Sequence, residues 1–246
     1  VGEIENKGIE LSIGLQLVDT KDWNVRLNAS YNTNHNKVLS IGNAVPFAIG
    51  GFSSRMVQTV VAEGEPVGFI RGYKAVLNPD NSLKEILPLQ NLGSTLPTAY
   101  GNFSLSASYK NLSFMLSGDY QYGAYVHSFD RQFRFSKGLK DDAIPEKALE
   151  GLDQGANWLN FTNFFVEKSD FLKIRNIGIA YDYKPKKYLK SVNLAFNVYN
   201  PFAFTASSVD PEAALAGARS QGAVAVGGLN YSSYSTPRQY VGTIRV

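Results

Sequence analysis

Residues able to do covalent chemistry are sparse in this chain. Its 246 residues include no cysteine and only two histidines, His35 and His127. Disulfides and thiolate metal sites are therefore excluded, and two imidazoles are too few to suggest a His-based metal centre. His35 stands in the polar run Asn32-Thr33-Asn34-His35-Asn36-Lys37, and His127 opens a long loop. Neither has the nucleophile-and-base context that covalent catalysis needs. The carboxylates Asp141, Asp142, Glu146, Glu150 and Asp153 cluster, but such a run reads as a solvated loop or helix face. No Gly-rich phosphate loop is present. The reading is therefore of a protein that is not an enzyme and uses no cofactor or metal. The net charge of +3 is spread along the chain, without the Lys/Arg clustering that nucleic acid requires.

Hydrogen-bonding side chains do recur at positions of one parity. Asn24, Arg26 and Asn28 form one such set, Asp119 and Gln121 a second, Asn193 and Asn197 a third. Residues of these types at this spacing can line a watery passage and guide a polar solute; their plainer role is to solvate a wall or pack on a plug. Phe129, Phe133, Phe135 and Trp158 lie in the loop after His127. Phe133 and Trp158 are candidates for stacking on a sugar ring or holding a partner, with ordinary loop packing as the alternative.

The elements that position these residues are strands, since side chains alternate between the two faces of a strand. Phe171–Phe204 reads as two long strands joined by a short basic turn. Val192, Leu194, Phe196 and Val198 share one face, and Asn193 and Asn197 the other. In the first of these strands Leu172 and Ile174 are out of phase with Ile177, Ile179, Tyr181 and Tyr183, which predicts a β-bulge at Arg175–Asn176. Similar alternation predicts strands over 7–18, 23–41, 56–62, 67–74, 100–109, 112–125 and 237–246, nine in all. A short helix is expected near Pro145–Gly151, with Pro first and Gly last.

Only 18% of residues are charged, 13% are aromatic, and no apolar run is long enough for a transmembrane helix. Strands of roughly 10–14 residues exceed the usual 5–6 and match the about 9–11 needed to span a bilayer. Trp23 and Tyr31, eight residues apart on one face, span roughly 20 Å, near the height of an apolar band between aromatic girdles. Short turns at 19–22, 63–66, 110–111 and 185–190 fall on one side. Long loops at 42–54, 75–98, 127–170 and 205–236 fall on the other. The fold class read here is all-β: an antiparallel transmembrane β-barrel with short periplasmic turns and long extracellular loops. An odd strand set cannot close with both ends periplasmic, and unpaired edges in lipid are costly. Residues 1–246 are accordingly expected to be the C-terminal part of a larger barrel, with plug and signal peptide upstream. A passive porin-type channel and, less favoured, a soluble glycan-binding β-sandwich are the rival readings.

Several segments carry a more specific likeness. Val1–Leu11 (VGEIENKGIEL), Gly64–Phe69, Gly72-Tyr73-Lys74, Ser169–Tyr181 (SDFLKIRNIGIAY), Tyr199–Thr205 (YNPFAFT) and Asp210-Pro211-Glu212 follow one another in order. Together they resemble the SusC/RagA-like family of TonB-dependent outer-membrane transporters. That resemblance implies about nine strands of a 22-stranded barrel in the outer membrane of a Gram-negative, Bacteroidetes-type bacterium. It also implies TonB-driven uptake of a bulky glycan or peptide, TonB engaged through an upstream region, surrounding outer-membrane lipids and a SusD-like lid lipoprotein. Two features depart from the family pattern. Only Asn78-Pro79-Asp80-Asn81 stands where an acidic insertion is frequent, and the chain ends Ile244-Arg245-Val246 where the family usually ends in Phe.

Overall fold

A computed structural model describes residues 2–51, 56–185, 191–213, 227–231 and 233–246. In chain order its strands are β1 (Glu3–Lys7), β2 (Glu10–Asp19), β3 (Trp23–Thr33), β4 (His35–Ser40), β5 (Phe47–Gly51), β6 (Gln58–Val61), β7 (Phe69–Leu77) and β8 (Leu83–Ser94). These are followed by β9 (Ala99–Tyr109), β10 (Leu112–Tyr122), β11 (Tyr125–Ser128), β12 (Val166–Lys168), β13 (Phe171–Tyr183), β14 (Val192–Thr205), β15 (Leu229–Asn230) and β16 (Gln239–Arg245). Helices α1 (Phe129–Ser136) and α2 (Gln154–Asn157) lie between β11 and β12, with 3-10 segments at Glu146–Leu149 and Trp158–Phe165.

Seven strands form one antiparallel sheet in the order β16-β14-β13-β10-β9-β3-β2. Its register sets like residues side by side. Val25, Ala107 and Phe114 form one row across β3, β9 and β10, and Leu27, Leu105, Leu116, Ile177 and Val198 continue another as far as β14. These rows lie on one face, and nothing in the described chain covers it. Ile13, Leu15, Phe114, Ile179, Leu194 and Phe196 are all exposed. Both edges of this face carry aromatics. Trp23 lies against Tyr109 with ring centroids 4.5 Å apart, and Tyr181 and Tyr183 stand near that end. Tyr31, Tyr122, Phe202 and Phe204 stand at the other end. Among the buried hydrophobic side chains of the described residues, only Phe171 belongs to this sheet.

The soluble-type core lies elsewhere, in a head built from the long connections. A four-stranded sheet, β5-β6-β7-β8, and a three-stranded one, β12-β11-β15, sit there with the helices. Ala75, Phe135, Ile144, Ala148, Phe161 and Phe165 form its main cluster, and Val57, Ile70 and Leu229 a second. Asn163 fastens the 3-10 segment to β7, accepting from Ala75 N at 2.9 Å and donating to Ala75 O at 3.3 Å.

The expected count of nine strands in one wall is thus corrected, because the strands predicted at 56–62 and 67–74 belong to the head. β6 has only four residues, all buried, too short and too enclosed for a wall strand. The turn at 63–66 does not join the short-turn side either. Gly64 N donates to Val38 O, and Val38 N to Glu65 O, each at 2.9 Å, which ties the turn to the loop end of β4. All four regions read as loops contain strands: β5 within 42–54, β8 within 75–98, β12 within 127–170 and β15 within 205–236. β8 tolerates Pro88 because it is an edge strand of its sheet and its register with β7 slips between Gly72 and Lys74, opposite Pro88 and Leu89. Turns 19–22 and 110–111 do share an end: Lys110 N donates to Asp22 O at 2.8 Å. Residues 186–190 of the predicted turn at 185–190 lie outside the described residues. The expected helix near 145–151 is one 3-10 turn, Glu146–Leu149, with Pro145 before it.

The bulge is present where the phase change put it. Ser117 pairs with Asn176 and Gly118 with Ile174, so Arg175 is the extra residue against β10. Against β14 it faces Asn200 and Pro201, and Asn200 adopts φ 50°.

Glycines report where the wall is tight. A Cβ at Gly101 would lie 2.0 Å from the Ser30 carbonyl oxygen, whereas one at Gly242 meets nothing within 4 Å. Gly101→Ala should therefore cost about 3 kcal/mol, since backbone must move, and Gly242→Ala should be near neutral. Thermal or denaturant unfolding of the two variants checks this, and equal effects would count against the β3–β9 register.

Candidate functional site

The polar face of the seven-stranded sheet gathers the candidate side chains. Register places Asn24 beside Ser108, Arg26 beside Ser106 and Asn28 beside Ser104, with Ser113, Met115 and Ser117 next to them on β10. Asn102 pairs with Asp119 and Tyr100 with Gln121, which in turn face Lys173 and Phe171 on β13. Asn197 faces Gly178 and Asn193 faces Asp182. Asn24, Arg26, Asn28, Asp119, Gln121, Asn193 and Asn197 thus share one face, as the alternation implies.

Their local roles differ. Asn24 donates to Asp19 at 3.2 Å and Asn193 to Asp182 at 2.8 Å, both near the short-turn end of the wall. Asn28 donates to Ser104 at 3.3 Å. Arg26 makes no ion pair among the described residues. Asp119 and Gln121, near the loop end, join larger constellations.

The bulge at Arg175 creates the first of these. Ordinary alternation would send Lys173 and Arg175 to the face opposite Asn176; the extra residue allows all three to serve the polar side. Lys173 is 5% exposed. Its Nζ reaches Asp210 Oδ1 at 2.6 Å and Glu212 Oε2 at 2.5 Å. Arg175 holds Asp119 through two nitrogens at 2.5 and 2.8 Å and Glu212 at 2.5 Å. Two cations on β13 therefore clasp three carboxylates, two of them from the loop after β14. Burial alone would push the Asp210 and Glu212 carboxyls up. The hydrogen bonds from Lys173 and Arg175 outweigh it, and both are held below the usual carboxylate range. Sequence reasoning met Lys173, Arg175, Asp210 and Glu212 only as parts of motifs. The usable signal was the spacing of Lys173 and Arg175, two residues apart and so on one face of a strand, just before the phase slip.

At the loop end of the same face lies a hollow of ≈ 550 Å³. Asn32, Tyr100, Asn102, Asp119 and Gln121 form its floor from three adjacent strands, with Asn34, Leu96, Pro97, Phe171 and Glu212 around them.

The loop candidates part company in the head. Phe133 is exposed on α1, stacked on Phe129 at 5.8 Å with the Lys137 ammonium 5.0 Å from its ring. Trp158 packs against the head core, and Phe135 lies at its centre with 1% exposure. For Phe135 and Trp158 ordinary packing is what the structure shows. The carboxylates Asp142, Glu146, Glu150 and Asp153 are exposed; Asp141 pairs with Arg131, Glu146 with Lys140 at the surface, and Asp153 Oδ1 accepts from Ala156 N at 2.9 Å. His35 is exposed in β4. His127 is fully buried, its Nε2 2.5 Å from Gln132 Oε1, and Gln132 donates onward to Thr162 at 2.8 Å.

Two predictions follow from these groups. Removing the Lys173 ammonium leaves Asp210 without its cation and Glu212 with Arg175 alone, so Lys173→Met should cost about 3–5 kcal/mol and free residues 206–213 for proteolysis. Limited digestion monitored by mass spectrometry reads this, and an unchanged cleavage pattern would mean the clasp does not hold the loop. For His127, desolvation is the main cause of a pKa lowered to about 4, with the Arg131 charge adding to it against the Gln132 hydrogen bond. The unfolded chain binds the proton more tightly, so this contribution to stability is complete above the ordinary histidine pKa of about 6.5. It is lost as pH falls from there to about 4. Melting temperatures across that window should fall less steeply for His127→Gln than for the parent.

No family model matches the chain. It is similar to two curated proteins of Formosa agariphila (strain DSM 15362 / KCTC 12365 / LMG 23005 / KMM 3901 / M-2Alg 35-1). With TonB-dependent receptor P26 it is 25% identical, over 97% of the chain and 28% of that protein. With TonB-dependent receptor P3 it is 24% identical, over 98% and 28%. Its fold is similar to that of the RagAB peptide transporter, with TM-score 0.71 and 20% identity over 99% of the chain and 29% of that one. A RagAB peptide importer structure in the open-open state gives 0.70. The chain spans under a third of the length of the proteins it matches.

Proposed function

We propose that this chain, whose motifs and relatives are those of SusC/RagA-like TonB-dependent transporters, is the C-terminal part of such a transporter's barrel. It supplies wall, lumen lining and an extracellular head for uptake of a bulky nutrient across the outer membrane, and it does no covalent chemistry. The observation that carries this reading is the inversion of the wall. Apolar rows point away from all other described parts of the chain, aromatics mark both edges of the band, and the hydrogen-bonding side chains share the opposite face. A soluble sandwich would cover that apolar face with a second sheet; here the three- and four-stranded sheets belong to the head, and the remaining one is the two-stranded β1-β4 pair.

In the assembled transporter, β2 and β16 would pair with strands contributed from outside this segment, since open edges are not tolerated in lipid. Asn28, Asn197 and Arg26 would face the lumen. The head, on the side away from the turns at 19–22 and 110–111, is where a SusD-like lid lipoprotein would sit, with the exposed Phe133 available to it. TonB would act through a region outside this segment.

A charge scan tests the face assignment in the full-length protein. Leu27→Arg and Phe196→Arg should each cost about 2–4 kcal/mol near a bilayer midplane, seen as lost outer-membrane insertion and heat-stable folding. Asn28→Arg and Asn197→Arg should insert normally. Equal losses at both pairs would overturn the lipid-facing assignment.

A further inference from the structure

We propose that the short-turn end of the apolar face holds a site for one anionic phospholipid, with an acyl chain in a groove across β10, β13, β14 and β16 and its phosphate between Lys110 and Lys184. The inference rests on the reading of that face as lipid-facing and goes further by naming a lipid class and the place that takes it.

The groove follows from the register. Leu112 lies beside Tyr181, Tyr181 beside Leu194, and Leu194 beside Ile244. One row further from the turns, Ile179 lies beside Phe196 and Phe196 beside Gly242. That glycine leaves a gap in the row, since no atom lies within 4 Å of where its Cβ would be. The result is a groove of ≈ 510 Å³, within the about 300–1,000 Å³ of small-molecule sites. Its apolar side chains, Leu112, Ile179, Tyr181, Leu194, Phe196 and Ile244, are all exposed. A flexible hydrocarbon chain that fills such a gap gains dispersion contacts that a chain bridging it would forfeit.

The mouth of the groove carries the charge. Leu112 also pairs with Tyr109, and Lys110 Nζ lies 5.1 Å from the Tyr109 ring centroid. Tyr109 belongs to the aromatic margin of the apolar face, against Trp23, so this ammonium is held on the outer side of the wall. A stem along apolar surface with the cation at the polar boundary is how lysine sits at a membrane interface. Asp182 N donates to Asn111 O at 2.9 Å, which sets the end of β13 beside the turn at 110–111, and Lys184 follows two residues on. Lys184 opens the sequence KPKKYLK, which holds four lysines and no carboxylate. Neither Lys110 nor Lys184 makes an ion pair among the described residues. The neighbouring carboxylates do not neutralise them. Asp182 accepts from Asn193 on the polar face at 2.8 Å, and Asp22 meets Lys110 through its backbone carbonyl. Basic groups at a membrane surface draw anionic lipids. A zwitterionic phosphatidylethanolamine would bring its own ammonium against these two.

The test uses the full-length transporter in detergent, with native mass spectrometry counting the lipids it retains. Dioleoyl-phosphatidylglycerol and dioleoyl-phosphatidylethanolamine are the probes, so that only the headgroup differs. Phosphatidylglycerol should be retained about tenfold better, and Lys110→Gln combined with Lys184→Gln should remove most of that preference. Gly242→Leu fills the gap with an apolar side chain and should reduce retention of both lipids. Arg245→Gln removes a cation from the same end of the wall, but Arg245 faces Asn193 on the polar side, so the preference should persist. Glycerol phosphate, which has the headgroup charge and no chain, should not displace the lipid. Equal retention of the two lipids, a preference indifferent to the lysine pair, an equal loss with Arg245→Gln, retention indifferent to Gly242→Leu, or displacement by glycerol phosphate would each overturn the proposal. Failure of the lipid-facing reading is distinguishable, because Leu27→Arg would then insert normally, whereas a wrong lipid class leaves that loss in place.

Discussion

The wall depends on one constraint: its apolar face has no partner within the chain. A sheet normally gains stability by burying one face against another layer. Here Leu27, Leu105, Leu116, Ile177 and Val198 form a row that nothing in the described chain covers, so the hydrophobic gain must come from an external apolar medium. The rest of the arrangement is consistent with that. Every interior strand of the sheet is paired on both sides, as backbone groups in such a medium must be. Aromatics with one polar end collect at the margins, where an apolar body and a wet tip are both accommodated.

The head obeys the opposite rule. Its main clusters of hydrophobic side chains are buried within it, and its 3-10 segment presses close to β7: a Cβ at Gly72 would lie 2.7 Å from Thr162 Cγ2. Two kinds of fold logic thus alternate along one chain. Residues 99–122 build wall, 125–168 build head, and 171–205 return to wall. The boundary runs where β3 passes into β4, and the hairpin continues past Gly8 as β1 pairs with β4. A Cβ at Gly8 would lie 2.0 Å from Thr33 O, so the two strands cross there more closely than any larger residue permits.

How much of this was legible follows from the same division. Wall strands alternate cleanly, so their existence, their faces and even the slip at Arg175 can be read from residue types alone. Head strands alternate too over four or five residues, and nothing local in Gln58–Val61 says that both of its faces will be buried. Assigning it to the wall is the natural error, because pairing partners are a long-range property. β8 was hidden by Pro88, a residue that argues against a strand unless the strand lies at an edge and bulges. Helix α1 was missed because Phe129, Phe133 and Phe135 stand among charged residues in a segment read as loop. At the site, the amides were visible as a face, but Tyr100 was read only as the start of a strand, since its exposure depends on which strands flank it.

The clasp explains why two distant motifs occur together. Lys173 and Arg175 stand on β13, Asp210 and Glu212 lie more than thirty residues later, and neither pair is stable alone on a half-buried face. Two cations without carboxylates would be an uncompensated charge, and the reverse is equally costly. The bulge is the device that lets the strand carry them and still keep its apolar face. Lys173 and Arg175, two residues apart, share the polar face by alternation alone; without the extra residue the strand would stay in that phase, and Ile177 and Ile179 would turn from the apolar face to the polar one. With it, one strand presents two cations inward within three residues while its apolar side resumes at Ile177 in register with Leu116. The irregularity that interrupts the alternation is therefore what lets the wall keep an apolar exterior and a charged interior at the same height.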